Sequence, residues 1–356
     1  MSKTSTLSFR FSLKKPSFNG FPNFSGLLPN FIPRHKPSLS QSSTSSTTSI
    51  KLETSSEPQC ITTFPVRLHK DDSEISQGAV DARNNFQHLL PDAEYRPHSA
   101  GPCGNFFSLS WPDGKTERVR LGTEIIETLW LYDDVIEDVP HSGALEVHAR
   151  VRDSLVGTPA EASSKSQIAS LFKDFGERIS RMDKDGASRV IGSLRTYLDN
   201  YDSQKTPFDT IEEYTEFRRV NVGFGIMESF MQWTLDIHLN ETEVELSRDY
   251  YVSAGRVMGL TNDLYSWNVE RTEPGDRQWN AVPIIMRQYK LSEEDATVFL
   301  RGLIVYHEQQ TRKLALEVLK RTGDSPKMVK YVNAMGLMLG GNCFWSSTCP
   351  RYNPGR

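Results

Sequence analysis

A chain of 356 residues can form one large domain or two smaller ones, and with 37% hydrophobic and 24% charged residues it reads as globular. Its longest apolar runs, such as AMGLMLGG at 334–341, fall well short of the roughly 20 residues a membrane span needs, so a transmembrane enzyme is excluded. The net charge of −4 hides an asymmetry: residues 1–50 carry Lys3, Arg10, Lys14, Lys15, Arg34 and Lys36 and no acid, so all 45 acidic residues lie beyond them, and an acidic body without a basic stripe excludes nucleic acid as partner.

The first 57 residues are rich in Ser, Thr, Pro and Phe, culminating in SLSQSSTSSTTS at 38–49, and show no helical period. They are expected to be a disordered leader. Arg, Lys and Ser without acids also describe an organellar transit peptide, mitochondrial or plastid, ahead of an otherwise cytoplasmic protein. The four cysteines, Cys60, Cys103, Cys343 and Cys349, form no CxxC pair or zinc-ligand spacing and are expected to be reduced thiols.

From about residue 60 the spacing of apolar residues predicts helices over 119–139, 166–182, 188–200, 209–240, 243–270, 292–321 and 326–342, with no sustained strand alternation. Breakers separate them at Pro140, Gly157 to Pro159, Pro207, the polar stretch 272–280 and Gly323 to Pro326. Residues 58–356 are therefore expected to form a single all-α domain.

Two of these helices carry chemistry. In LWLYDDVIEDVP, residues 129–140, Ile126, Trp130, Asp133 and Glu137 fall at i, i+4, i+7 and i+11, so an apolar stripe runs straight into carboxylates. A surface helix would rotate its acids away from its apolar face; this one is expected to line a cavity with an apolar floor and an acidic mouth. In NDLYSWNVE, residues 262–270, Asn262, Ser266 and Glu270 repeat at one-turn intervals, and Gly255 and Gly259 extend the stripe. Oxygen donors at that spacing suit a magnesium ion that keeps water and substrate phosphate in its remaining positions. Together the two stripes point to a magnesium–diphosphate clamp.

With these two motifs the chain resembles the class I terpene synthases, whose metal motifs are DDxx(D/E) and NDxxSxxxE. EFRRVNVGFGIM at 216–227 looks like the family's diphosphate-sensing arginine followed by a helix break at Val222 and Gly223, and WSSTCPRY at 345–352 looks like its C-terminal Arg-Tyr pair. With PVRLHK at 65–70, these are most similar to fungal cyclases of the fusicoccane type, which make diterpenes and sesterterpenes. The resemblance implies a helical bundle around a central cavity and three Mg²⁺ ions. Asp133 would ligate two of them with Asp134 and Glu137 in support; Asn262, Ser266 and Glu270 would hold the third. Arg218 or Arg219 would sense the diphosphate, and Arg351 and Tyr352 would donate hydrogen bonds to it.

The implied reaction is ionisation of a linear isoprenyl diphosphate, geranylgeranyl diphosphate first and geranylfarnesyl diphosphate next, followed by cyclisation. A carbocation needs a dry pocket with aromatic faces. The candidates are Phe106, Phe107, Trp130, Phe230, Trp233 and Trp345. Phe230 and Trp233 share a helical face with Ile226 and Ile237 after Gly223 and Gly225 loosen the backbone. Two features depart from the family pattern. Val269 stands where many relatives place a diphosphate-binding Lys, so either Arg271 or another base compensates or affinity is weaker. The chain ends at Arg356 without the prenyl-chain-forming domain of many fungal relatives, so a separate prenyltransferase is expected to supply the substrate unless this is one half of a divided protein. A homodimer is left open. The rival readings are an isoprenyl diphosphate synthase and a non-catalytic isoprenoid-binding helical protein.

Overall fold

The computed structural model describes residues 49–54, 57, 59–89, 98–137, 141–156, 167–200, 207–272 and 279–353. Two short strands, β1 (Ser49–Leu52) and β2 (Val66–His69), precede a run of helices. These are α1 (Asp72–Leu89), α2 (Phe106–Ser110), α3 (Thr116–Glu137), α4 (His141–Ser154), α5 (Gln167–Met182) and α6 (Lys184–Asn200), then α7 (Ile211–Asn221), α8 (Phe224–Thr234), α9 (Glu241–Glu270), α10 (Ala281–Tyr289), α11 (Glu293–Arg321) and α12 (Pro326–Thr348). The architecture is all-α apart from the β1–β2 ladder, and no helix among the described residues is long and apolar enough to cross a membrane.

Local chemistry sets the helix ends. The long α9 starts at a capping box, in which the Asn240 side chain accepts from the Glu243 N–H and Glu243 reaches back to the Asn240 N–H. Ser325 caps α12 with Pro326 at its first position. Buried side chains run almost without interruption from Ala334 to Thr348, so α12 is a central helix packed against α2, α8, α9 and α11. Glycine lets it approach α2 closely: a Cβ on Gly341 would lie 2.1 Å from the Leu109 carbonyl oxygen. That approach brings Trp345 against Phe106, with ring centroids 4.9 Å apart.

Three expectations are corrected. The stretch 209–240 is not one stripe: α7 ends at Asn221, Val222 caps it, and Gly223 at φ +77° turns the chain into α8, while Gly225 lies inside α8. Because α8 ends at Thr234, Ile237 does not continue the face of Ile226, Phe230 and Trp233. The leader does not extend to residue 57, because β1 pairs antiparallel with β2, Ser49 opposite His69 and Leu52 opposite Val66. A four-residue strand is too short to betray itself by alternation. The leader before Ser49, with its transit-peptide reading, lies outside the described residues.

Ser49 Oγ also donates to Asp113 Oδ1 at 2.7 Å, tying β1 to the loop before α3. Deleting residues 1–57 removes this contact and the ladder, and is expected to cost about 1–3 kcal/mol relative to deleting residues 1–48. Chemical denaturation of the two truncated chains checks it; equal midpoints would mean that β1 contributes nothing.

Candidate active site

A cavity of about 350 Å³ opens between α3, α7, α8, α9 and α12. Its polar end is built by Asp133 from α3, Arg218 from α7, Asn262 and Glu270 from α9, and Arg351 and Tyr352 from the turn after α12. Phe106, Ile126, Trp130, Met258 and Trp345 supply apolar walls. The one-turn spacing of Trp130 and Asp133 on α3, and the two-turn spacing of Asn262 and Glu270 on α9, put both pairs on cavity-facing stripes.

Arg218 is the centre of the polar end. Its Nε donates to Asp263 Oδ1 at 2.7 Å, Nη1 to Asn221 Oδ1 at 2.6 Å and Nη2 to Asn262 Oδ1 at 2.6 Å. Asp263 is fully buried and also accepts from Tyr214 Oη at 2.7 Å and from the Ala281 N–H at 3.0 Å. Burial pushes its carboxyl up to about 6 although the Arg218 guanidinium pulls it down, and the three donors on its two oxygens match a carboxylate that holds Arg218 in place. Successive helical residues are about 100° apart, and Arg219 accordingly points elsewhere. Its Nε donates to Glu216 Oε2 at 3.0 Å, and it borders a different cleft, with Arg189 and Tyr251. Of the two adjacent arginines, Arg218 faces the cavity.

On α9, Asn262 Nδ2 donates to Tyr352 Oη at 2.8 Å. Glu270 Oε2 accepts from Asn280 Nδ2 at 2.9 Å, and the same nitrogen reaches the Asp263 carbonyl at 2.9 Å and Ser266 Oγ at 3.5 Å. Asn280 thus ties the end of α9 to the start of α10, which its own Oδ1 caps through the Val282 N–H. Ser266 is buried and does not line the cavity wall. Asp134 also lies off that wall: its Oδ2 is 2.8 Å from His98 Nε2, and its side chain is 47% exposed. The Glu137 side chain lies outside the described residues. Asn221 and Asn280 went unnoticed in the sequence; Asn280 had a signal, an Asn directly before the apolar Ala-Val-Pro-Ile run that starts a helix.

Phe106, Trp130 and Trp345 pack on one another at the cavity, which Tyr197, Trp279 and Tyr352 also line. Trp130 and Trp345 stack with centroids 6.4 Å apart at 24°, Phe106 contacts both, and the Arg351 guanidinium carbon lies 5.9 Å from the Trp130 ring centroid. The expected lining is corrected for Phe107, Phe230 and Trp233, which do not border the cavity. Phe107 stacks behind Trp130 at 5.5 Å, and Phe230 stacks on Trp111 at 5.8 Å. Trp233 is buried beneath the Arg118 guanidinium, whose carbon lies 5.3 Å from its ring. Arg271 donates to Glu293 Oε1 at 3.1 Å and does not border the cavity.

The donor set fits a hard divalent cation: Asp133, Asn262 and Glu270 offer only oxygen, from carboxylates and an amide, around an open space. Asn262 Oδ1 already accepts from Arg218, so a cation bound there would share that oxygen with the guanidinium through its second lone pair. Among the described residues another group of ligand-type side chains, Asp183, Asp236 and His238, lies away from this cavity. Arg118 Nη1 already bridges its carboxylates at 3.1 and 2.7 Å, and Lys115 pairs with Asp236, so cations of the chain itself hold that cluster.

Residues 124–310 match the family model of terpene synthase family 2, C-terminal metal binding. The chain is 26% identical over 85% of its length to a sesterterpene synthase from Colletotrichum orbiculare, covering 45% of that protein. It is 28% identical over 81% of its length to fusicoccadiene synthase from Phomopsis amygdali, covering 42% of that protein. It therefore spans less than half the length of these relatives. Among solved structures, aristolochene synthase from Penicillium roqueforti superposes with a TM-score of 0.66 at 17% identity, over 79% of this chain and 96% of that one. Germacradien-4-ol synthase from Streptomyces citricolor gives a TM-score of 0.66 at 17% identity, over 80% and 99%. With more than half its length inside the family model and its fold shared with these enzymes, the chain belongs to the class I terpene synthases, in terpene synthase family 2.

Proposed function

We propose that this chain is a terpene cyclase that ionises a linear isoprenyl diphosphate and closes the resulting carbocation to a polycyclic hydrocarbon or alcohol, releasing diphosphate. Geranylgeranyl diphosphate is the favoured substrate and geranylfarnesyl diphosphate the next, each supplied by a separate prenyltransferase. The observation that carries this reading is the polarity of one cavity, with Asp133, Arg218, Asn262 and Glu270 at one end and Phe106, Trp130 and Trp345 at its walls.

When bound, magnesium, in three ions on the family pattern, supplies the positive charge that stabilises the departing diphosphate. Asp133, Asn262 and Glu270 would hold it, with Ser266 between the last two. Arg218, Arg351 and Tyr352 direct N–H and O–H donors at the same end of the cavity, where charge-assisted hydrogen bonds to diphosphate oxygens orient the substrate. The aromatic walls exclude water from the carbon skeleton and present π faces to positive charge, at about 0.5–2 kcal/mol per contact. The basic, acid-free first 50 residues suit an organellar address, which a fusion of that segment to a reporter tests.

Incubation with C15, C20 and C25 diphosphates, with and without isopentenyl diphosphate, tests the reading by mass spectrometry of extracts. A cyclised C20 or C25 product without elongation supports it. Chain elongation would make the protein an isoprenyl diphosphate synthase, and absence of any turnover would make it a binding protein.

Trp130 tests the wall separately. It stacks on Phe107 and Trp345 and touches the cavity one turn from Asp133, so Trp130→Leu keeps an apolar side chain and removes the π face. Linear and less cyclised products are expected to rise severalfold, in line with roughly 1 kcal/mol of lost cation stabilisation. An unaltered product profile from a destabilised protein would mean that the tryptophan serves packing alone.

A further inference from the structure

We infer that Glu127 is a positioning residue that sets the geometry of the aromatic wall through the backbone of His98 and Ser99, and with it the product distribution. The product arm of this inference rests on the cyclase reading; the spectroscopic arm does not.

Glu127 lies on α3, 1% exposed, and does not border the cavity. Both of its oxygens are used by one short segment outside any helix: Oε1 accepts from the His98 N–H at 2.8 Å and Oε2 from the Ser99 N–H at 2.9 Å. That pair of bonds fixes the peptide whose next carbonyl does the orienting. Ser99 C=O accepts from the Trp345 indole Nε1 at 3.0 Å and from the Phe106 N–H at 2.9 Å. The Ser99 hydroxyl accepts from Asn105 Nδ2 at 2.9 Å, and Asn105 caps α2, the helix that carries Phe106. Two residues further on, Gly101 packs so closely on the indole that a Cβ there would lie 3.1 Å from Trp345 Nε1. On the other side His98 meets Trp130 edge-on, with centroids 6.2 Å apart, and its ring binds Asp134.

One buried carboxylate therefore anchors the segment that holds the aromatic side chains of the cavity. A carboxylate accepting two amide N–H groups is a stiff bidentate clamp, and a carbocation's fate depends on which π face and which C–H bond lie nearest to it. Burial, opposed by the Ser99 donors and Arg83 and reinforced by Asp134, raises the Glu127 carboxyl to about 7, and the two backbone N–H groups that its oxygens accept from are what favours its charged form there.

The test compares the full chain with Glu127→Gln, Trp345→Phe and the double variant. Glutamine keeps the volume but turns one acceptor into a donor facing a backbone N–H. Trp345→Phe keeps a ring and removes the indole N–H. We expect Glu127→Gln to retain its helical circular dichroism and to change magnesium-dependent diphosphate release by less than about threefold. Its near-ultraviolet dichroism from the stacked tryptophans is expected to change, and its less cyclised products to rise by about threefold or more, matching the cost of a displaced π face. Trp345→Phe is expected to raise the same products, and the double variant to add little to the larger single effect, as for residues acting through one contact. Wild-type products and a wild-type near-ultraviolet spectrum from Glu127→Gln, with only a lowered melting temperature, overturn the inference. Should Glu127→Gln fail to fold, unchanged products and side-chain dichroism beyond the loss of one indole in Trp345→Phe overturn it instead. If the wild-type chain releases no diphosphate, the cyclase reading fails, and the near-ultraviolet comparison alone decides the positioning role.

Discussion

Asp133→Asn is expected to lower magnesium-dependent turnover by about 10²- to 10³-fold, the loss typical of removing one strong electrostatic contributor to a developing anion. The residue stands on the cavity stripe of α3, one turn beyond Trp130 and across the opening from Asn262 and Glu270. Replacing one carboxylate oxygen by an amide nitrogen removes a negative charge from the donor set while keeping the shape. The side chain is only part-buried at the cavity wall, so the melting temperature is expected to change by no more than a few degrees. Diphosphate release measured over a range of magnesium concentrations checks the expectation; near wild-type release would remove Asp133 from the magnesium assignment.

Arg218→Ala and Arg219→Ala, neighbours in sequence, are expected to differ by several kcal/mol. Arg218→Ala leaves Asp263 fully buried, with the Tyr214 hydroxyl and Ala281 N–H still donating but without its counter-charge. Removing one partner of a buried pair costs about 3–5 kcal/mol. The same change takes a donor from Asn262 and Asn221 and a positive charge from the diphosphate end, so activity is expected to fall by at least about 10²-fold. Arg219→Ala breaks only an i, i+3 pair with Glu216, which keeps Arg256 at 2.7 Å, and is expected to cost about 0–1 kcal/mol. Arg218→Lys retains charge without the planar fork that reaches Asp263, Asn221 and Asn262 together, and is expected to fall between the two. Denaturant midpoints and diphosphate release on the same preparations check the order; equal effects at the two arginines would contradict it.

The parts of the site legible in the sequence are those fixed by helical spacing. Asp133 with Trp130, and Asn262 with Glu270, reach the cavity because residues a whole number of turns apart share a face, although Ser266 on the same stripe is buried beside Asn280 and does not line it. What spacing cannot supply is the direction that face takes. Phe230 and Trp233 have the same chemistry as Trp130, yet α8 turns them onto Trp111 and Arg118, residues more than a hundred positions away in sequence. The choice between Arg218 and Arg219 likewise depended on Asp263 and Asn262 lying on one side of α7 and Glu216 on the other. The helix break at Val222 and Gly223 was implied by the resemblance alone, because the apolar spacing runs through 209–240 and Gly225, which reads the same as Gly223 in sequence, sits in ordinary helix. Glu127 acts through contacts that cross between elements, and no local pattern marks such a residue; Asn221 stands one turn from Arg218 on α7, a spacing that also holds for many side chains that make no such bond.

Ionisation of an allylic diphosphate in the cavity at Asp133, Arg218 and Asn262 is tested most directly by release of inorganic diphosphate from geranylgeranyl diphosphate by the purified full chain. Release is expected to require magnesium, to stop when a chelator is added, to resume when magnesium is restored, and to accompany a cyclised hydrocarbon or alcohol in the extract. Release that persists in the chelator, or magnesium-saturated protein that leaves C15, C20 and C25 diphosphates all intact, would contradict it.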